Sequence, residues 1–79
     1  MGKSRNIHYV IAFGNNLKTT RLAKGMSREK VAAFAEIEVM QLYRIETGKI
    51  NTTISTLYAI SKALNVTPKK LLDVIANLG

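Results

Sequence analysis

The segment from residue 27 to residue 48, SREKVAAFAEIEVMQLYRIETG, constrains the fold of this chain more than any other. Its apolar residues fall at helical spacing in two short runs, separated by a break around Glu36 and Ile37. Ser27 is a favourable N-cap for the first run, and Gly48 provides a stop after the second. The pattern predicts two short helices joined by a tight turn, with polar side chains facing outward from the second helix.

The segment that precedes this pair of helices also repeats its apolar residues at helical spacing. Val10, Phe13 and Leu17 lie on one side of a helix predicted from about residue 6 to residue 24, and Gly25 ends it. Arg21 lies four residues after Leu17, so it falls on the same apolar side of the helix. We therefore expect a positive charge to point into the core.

Two more helices are predicted after the central segment. Thr53 is expected to cap the first of them, and Thr67 with Pro68 to begin the second, where the missing N–H group of proline costs nothing. Leu71 and Leu72 are expected to close the core. The sequence thus predicts an all-α fold of five helices in one domain, residues 1–79, with a flexible tail at residues 1–5. The predicted buried stripe of the fourth helix is Ile54, Leu57, Ile60, Ala63 and Leu64.

The charge balance favours an anionic partner. The chain has 79 residues, 12 Lys and Arg against five Asp and Glu, and a formal net charge of +7. Most of the basic residues precede Asn51, in the same half as the central pair of helices. Basic charge alone fits a solvated surface equally well, but together with the helical pair it favours nucleic acid. The absence of cysteine, of a signal peptide and of a long apolar run suits a cytoplasmic protein without a membrane partner.

The central segment resembles the helix-turn-helix of the Cro/phage-repressor (XRE-like) class of bacterial transcription regulators. The flanking stretches LKTTRLAKG and ISTLYAISKALNVTPKKLL resemble the first and the last two helices of that class, so the resemblance covers about residues 13 to 72. It implies a compact, lambda-repressor-like DNA-binding domain whose recognition helix occupies about residues 38–47. The residues that match the family pattern are Met26, Ser27, Val31, Ala32, Ala35, Ile37, Leu42, Ile45, Glu46 and Gly48.

Three positions depart from the family pattern. Arg28 stands where the family usually has glutamine, Glu36 where it has glycine, and Glu38 where it has serine or threonine. The turn at the glycine position needs a left-handed backbone, so we expect Glu36 to be strained.

Opposite charges are predicted to meet inside the core. Glu46 lies four residues after Leu42 on the inner face of the recognition helix, as Arg21 does in the first helix. The two should pair because an unpaired buried charge is costly, and the resemblance implies the same ion pair. The alternative is that both ends are solvated independently.

The resemblance assigns base contacts to Val39, Met40, Gln41 and Arg44, because the recognition helix enters the major groove N-terminus first. Gln41 can bond adenine through its amide, Arg44 can bond guanine, and Val39 and Met40 can touch a thymine methyl group. As alternatives, Met40 packs on a neighbour and Arg44 reaches a phosphate. The predicted phosphate-binding residues are Ser27, Arg28, Tyr43, Lys49, Asn51 and Thr53.

The chain is also predicted to form a homodimer through its fifth helix. The surplus apolar residues there are Val74, Ile75 and Leu78, with support from Leu71. A two-fold dimer places two recognition helices about one DNA turn apart, which suits a palindromic operator.

These observations favour a dimeric, sequence-specific regulator of transcription, similar to restriction–modification controllers and small phage or plasmid repressors. The rival interpretations are an antitoxin-like protein-interaction module and a DNA-coating protein without sequence preference. The single histidine, His8, and the five carboxylates show no arrangement for acid–base catalysis. We therefore expect no enzyme, metal, cofactor, appended ligand-sensing module or small-molecule ligand.

Overall fold

A computed structural model describes residues 6–74 of the chain, and within that range all regular structure is α-helical. Five helices follow one another with short connections: α1 (Ile7–Ala23), α2 (Arg28–Ala35), α3 (Val39–Glu46), α4 (Ile54–Leu64) and α5 (Pro68–Leu72). The prediction of an all-α fold with five helices is confirmed. Because Ile75 and Leu78 lie outside the described residues, their predicted role in a dimer stays a prediction.

Side-chain caps determine where most of the helices begin. Asn6, Ser27, Thr53 and Thr67 each accept a hydrogen bond from the backbone N–H group three residues further on, at 3.0–3.2 Å. Each bond satisfies a donor that has no partner inside its own helix. α3 differs, because its N-cap residue Glu38 makes no such bond. The helix at the centre of the fold is therefore held by packing rather than by its own cap.

A single cluster of buried apolar side chains joins all five helices. α1 packs against α3 and α5, and α2 packs against α3 and α4, so the α2–α3 pair lies between α1 and α4. The side chains of Leu17, Leu42 and Ile60 are fully buried at the centre of this cluster. The other core members are Phe13, Val31, Ala32, Ala35, Ile45, Leu57, Leu64 and Leu71.

α5 is held in place by polar side chains of α1 as well as by apolar packing. Asn16 donates through Nδ2 to the backbone carbonyl oxygens of Lys70 (2.9 Å) and Leu71 (3.0 Å). The hydroxyl group of Tyr9 donates to the carbonyl oxygen of Leu72. These carbonyl oxygens lie at the end of a five-residue helix, where no N–H group of α5 is available to donate to them. The short last helix therefore depends on α1 for its position.

Three sequence predictions about apolar positions are wrong. Ile54 was expected in the buried stripe of α4 but is 84% exposed, because it is the first residue of the helix and the stripe begins one turn later at Leu57. Leu72 was expected to close the core but is 40% exposed. Leu71 was assigned to a dimer interface, yet it lies wholly inside the core of one chain and offers no surface to a second copy.

The turn between α2 and α3 has the left-handed backbone that the sequence predicts. Glu36 has φ 59° and ψ 43°, and its backbone N–H group is bonded to the carbonyl oxygens at the end of α2. Asn65 ends α4 in the same conformation, with φ 58°. A β-carbon makes this region unfavourable for a glutamate, whereas asparagine tolerates it better. Glu36 is thus a strained residue in the middle of the helical pair.

Candidate nucleic-acid interface

α3 presents a continuous outer face that no other part of residues 6–74 covers. Met40 and Tyr43 are 51% and 42% exposed, and Arg44 is exposed beside them. Val39 and Gln41 lie on the two flanks of this face, Gln41 being half-buried. The four residues predicted to read bases are therefore all on the accessible side of α3, with Gln41 closer to the protein than the sequence suggests.

The inner face of α3 fixes the direction in which that outer face points. Leu42, Ile45 and Glu46 are buried, and the first two belong to the core cluster. α1 crosses α3 closely at Gly14, where an added Cβ would lie only 2.7 Å from the carbonyl oxygen of Glu46. Backbone packed this tightly against backbone leaves α3 little freedom to roll or slide.

One buried carboxylate joins three helices. Glu46 of α3 accepts from Nε (2.6 Å) and Nη2 (3.1 Å) of Arg21 in α1. Arg21 also donates through Nη1 to the carbonyl oxygen of Met26, at 2.9 Å. In addition, Arg28 of α2 donates through Nε to Oε1 of Glu46, at 2.8 Å. The structure thus pairs Arg21 with Glu46 and adds Arg28, a second arginine, to the same carboxylate.

Arg28 also connects this buried cluster to the outer face of α3. Its guanidinium carbon lies 5.1 Å from the centroid of the Tyr43 ring, within the range of a cation–π contact. The side chain is 30% exposed, whereas that of Glu46 is fully buried. Arg28 was predicted to bind phosphate from the rim of the site. Its position at the start of α2 still allows this, although one of its nitrogens is already bonded to Glu46.

The other residues predicted to bind phosphate lie at the starts or ends of helices. Ser27 and Thr53 are exposed N-caps whose oxygens accept from the backbone. The hydroxyl group of Ser27 can still donate to another oxygen, whereas that of Thr53 donates to Oγ1 of Thr56, at 3.1 Å, and would have to exchange this bond for one to a phosphate. Asn51 accepts through Oδ1 from the N–H group of Thr52, at 3.1 Å. Lys49 is exposed just after α3. In the sequence, these residues precede and follow α3, and they are of the types that contact phosphate oxygens of DNA.

A separate apolar depression of about 230 Å³ opens where α1, the α3–α4 connection and α5 meet. Ile54 and Leu72, the two residues wrongly predicted to be buried, lie on its rim. Val74, which was assigned to a dimer interface, follows closely and is half-buried. The depression is lined by Tyr9, Val10, Phe13, Ile50, Asn51, Thr52, Thr53, Ile54, Leu57 and Leu72.

Two features of the site do not follow from the sequence pattern. The first is that the Glu46 carboxylate binds a second arginine, because Arg28 has the sequence signature of an ordinary polar residue in a first helical turn. The close crossing at Gly14 was missed because a glycine within a helical pattern gives no periodic signal. A glycine amid the apolar residues of α1 was the only available hint. The described residues contain no group of side chains able to hold a metal ion, and none of their helices is long and apolar enough to span a bilayer.

The chain matches known proteins over most of its length. Residues 17–71 match the family described as Helix-turn-helix. Control protein C.BamHI of Bacillus amyloliquefaciens is 39% identical over 64 residues, which are 80% of this chain and 79% of that protein. The uncharacterised HTH-type transcriptional regulator y4dJ of Sinorhizobium fredii is 34% identical over 58 residues, 73% of this chain and 75% of that one.

Solved structures show the same arrangement of helices. The restriction-modification controller protein C.AhdI of Aeromonas hydrophila superposes with a TM-score of 0.77 at 27% sequence identity. The superposition covers 78% of this chain and 94% of the other.

Proposed function

The chain belongs to the helix-turn-helix family of DNA-binding transcription regulators, and on this premise we propose that it is a sequence-specific regulator that binds double-stranded DNA as a homodimer. The observation that carries the proposal is the outer face of α3. It carries both polar and apolar side chains, is accessible, and is fixed in direction by the buried Leu42, Ile45 and Glu46. An α-helix held this way fits the major groove of B-DNA. We propose that residues 1–79 form a single DNA-binding domain.

Base readout is assigned to the accessible residues of α3. Gln41 can form two hydrogen bonds with adenine, and Arg44 can form two with guanine. Val39 and Met40 offer apolar surface for a thymine methyl group. The half-buried position of Gln41 supports its role, because a side chain with fewer rotamers loses less entropy when it binds.

Orientation on the DNA is assigned to the residues around α3. Ser27 and Thr53 supply hydroxyl groups, Asn51 an amide and Lys49 an ammonium group, and Tyr43 adds its phenolic hydroxyl. Phosphate contacts release counterions, so affinity should fall steeply as salt rises. The net charge of +7 adds long-range attraction to any duplex.

Dimerisation is assigned to the apolar depression rather than to Leu71. Ile54 and Leu72 are exposed on its rim, and the half-buried Val74 follows Leu72 by two residues. Ile75 and Leu78 come next in the sequence, and we propose that they take part in the same contact. An isologous contact through such a patch would bury these side chains in pairs. Two recognition helices would then lie about 34 Å apart and match a palindromic operator.

The similarity to control protein C.BamHI and to the restriction-modification controller C.AhdI supports a narrower role, the control of restriction–modification genes. A regulator that acts on chromosomal or plasmid genes works in the bacterial cytoplasm. The genes that flank the coding sequence test this role directly, since a controller should lie beside a methyltransferase and an endonuclease gene.

Selection from a random pool of duplexes tests the proposed function. We expect an enriched sequence with two inverted half-sites whose centres lie about 10 base pairs apart. The protein should bind this duplex at least about 1,000-fold more tightly than a scrambled duplex at physiological salt. Equal affinity for both would instead make the protein a DNA coater, and no binding to either would favour a protein-interaction module.

A further inference from the structure

We propose that Arg28 and Tyr43 act as one phosphate clamp, in which the buried Glu46 and the Tyr43 ring hold the Arg28 guanidinium ready to grip the DNA backbone. The proposal rests on the proposed function. It assigns phosphate contact to Arg28 and positioning of the Arg28 guanidinium to Tyr43, and the fold alone does not require this contact between the two side chains. The Arg21–Glu46 pair already joins α1 to α3, so Arg28 adds a second contact to a carboxylate that has a partner.

The charges of the cluster leave room for one more anion. Two guanidinium groups share a single carboxylate, so one positive charge is in excess. Glu46 has both oxygens bonded to Arg21 and is fully buried, so it cannot follow Arg28 outward. The positive charge in excess lies on the partly exposed Arg28, beside the outer face of α3.

The geometry of Arg28 leaves the fork of its guanidinium available. Its Nε bonds to Glu46, while Nη1 and Nη2 make no hydrogen bond to a residue in the range 6–74. Two terminal nitrogens on one side of a planar guanidinium match two oxygens of a phosphate. Glu46 takes up the Nε side, so the Nη1–Nη2 side of this partly exposed side chain is left for a phosphate.

Tyr43 restricts the remaining freedom of the guanidinium. The ring stacks against it at 5.1 Å, and the Tyr43 side chain stands on the outer face of α3. Arginine carries several rotatable bonds, and each that is fixed before binding reduces the entropy lost on the DNA. A lysine cannot both bond Glu46 and present a fork, so its ammonium group should not replace Arg28.

The salt dependence of binding separates this clamp from two independent contacts. Arg28→Gln should lower the slope of log K against log salt by about 0.9 for each phosphate that the guanidinium neutralises in the wild type. Tyr43→Ala removes no charge, yet we expect it to lower the slope in the same direction because the guanidinium is no longer held at the phosphate. In an Arg28→Gln background, Tyr43→Ala should leave the slope unchanged.

The affinities should show the same coupling. The increase in Kd of the double variant should be about fivefold smaller than the product of the increases caused by Arg28→Gln and by Tyr43→Ala, as expected for residues that act together. Tyr43→Phe is the matched control for the ring, because it removes only the hydroxyl group. Loss of a neutral hydroxyl–phosphate hydrogen bond can weaken Kd, but it releases no counterion, so the salt slope of this variant should equal that of the wild type. Tyr43→Leu keeps apolar volume without the π face and should behave as Tyr43→Ala does. Arg28→Lys should bind as weakly as Arg28→Gln, within a few-fold.

The clamp is overturned if Tyr43→Ala and Tyr43→Leu retain the wild-type slope, or if the two effects on Kd simply multiply. Melting temperatures of all variants establish that each is folded under the binding conditions. Random duplex serves as a second substrate, because phosphate contacts do not depend on sequence. A failure to select any operator would count against the proposed function. The salt slopes measured on random duplex would still show whether Arg28 and Tyr43 act as one clamp.

Discussion

Glu36 shows how one residue can be strained without changing the fold. Its left-handed backbone, with φ 59°, ends α2 and begins the turn to α3. The family pattern usually has glycine here, which adopts this conformation at no steric cost. The strain is tolerated because the core on either side of the turn fixes where both helices lie, and buried apolar packing outweighs the cost of one unfavourable residue.

Replacing Glu36 by glycine should therefore stabilise the protein, or at least leave its stability unchanged. We expect a gain of up to about 1 kcal/mol, offset in part by the greater entropy of glycine in the unfolded chain. Asn65→Gly is the matched control, and its gain should be smaller because asparagine tolerates the same backbone conformation. Urea denaturation of the three proteins measures this. A clear loss of stability in Glu36→Gly would mean that the glutamate side chain contributes something that the backbone conformation does not explain.

Glu46 should be the most sensitive polar residue in the chain. Its carboxylate is buried and bonded to Arg21 and Arg28, so Glu46→Gln would leave a buried guanidinium without its counter-charge. Breaking a buried ion pair in this way costs about 3–5 kcal/mol. Arg28→Gln should cost much less, since the Arg21–Glu46 pair remains. Thermal unfolding of both variants compares them, and equal decreases in stability would contradict the central place of Glu46.

The sequence predicts these residues unequally well. Glu46 and Arg21 stand at helical spacing from buried leucines, so their inward direction follows from periodicity alone. Arg28 carries no such signal, because its partner lies 18 positions away and on another helix. Only the packing of α2 against α3 brings the two together. Contacts of this kind depend on the crossing of helices, which a one-dimensional pattern does not contain.

At the scale of helices, the close approach of α1 and α3 determines the direction of α3. The two backbones meet at Gly14, where even a methyl group would collide with the carbonyl oxygens of Ile45 and Glu46. The starts of α2, α4 and α5 were predictable because Ser27, Thr53 and Thr67 cap them. The crossing was not, because it depends on the absence of a side chain.

Gly14→Ala should destabilise the protein although alanine favours helix more than glycine does. We expect the free energy of unfolding to fall by at least about 1–3 kcal/mol, because the added Cβ would have to push α3 away from α1. Asn15→Ala is the matched control; Asn15 is the exposed neighbour in the same helix, and its replacement should be neutral or slightly stabilising. Circular dichroism during thermal unfolding would compare the two variants. A Gly14→Ala variant as stable as the wild type would show that the helices can separate at no cost.

At the scale of the whole molecule, Ile54 and Leu72 form an exposed apolar rim around a depression, which packing within a single chain does not explain. Both were predicted to be buried, and a second copy would satisfy that prediction in the assembly rather than in the monomer. We expect Ile54→Asp combined with Leu72→Asp to yield a monomer. Leu22→Asp, which alters another exposed leucine (58%, against 40% for Leu72) outside the depression, should leave the dimer intact. Sedimentation equilibrium without DNA measures both, and a wild type that is monomeric at high micromolar concentration would refute dimerisation through this rim.

Binding of Gln41→Ala to the selected operator, to each of its single-base variants and to random duplex tests the central claim most directly. Removal of a bidentate base contact should cost about 1–3 kcal/mol and abolish discrimination at one base pair of each half-site. Lys49→Ala serves as the comparison, because removal of a phosphate contact should weaken every duplex alike and lower the salt slope by about one unit per site. The account predicts that Gln41→Ala binds random duplex as the wild type does. If Gln41→Ala instead weakens all duplexes equally and leaves every base preference in place, α3 does not read the sequence through this residue as proposed.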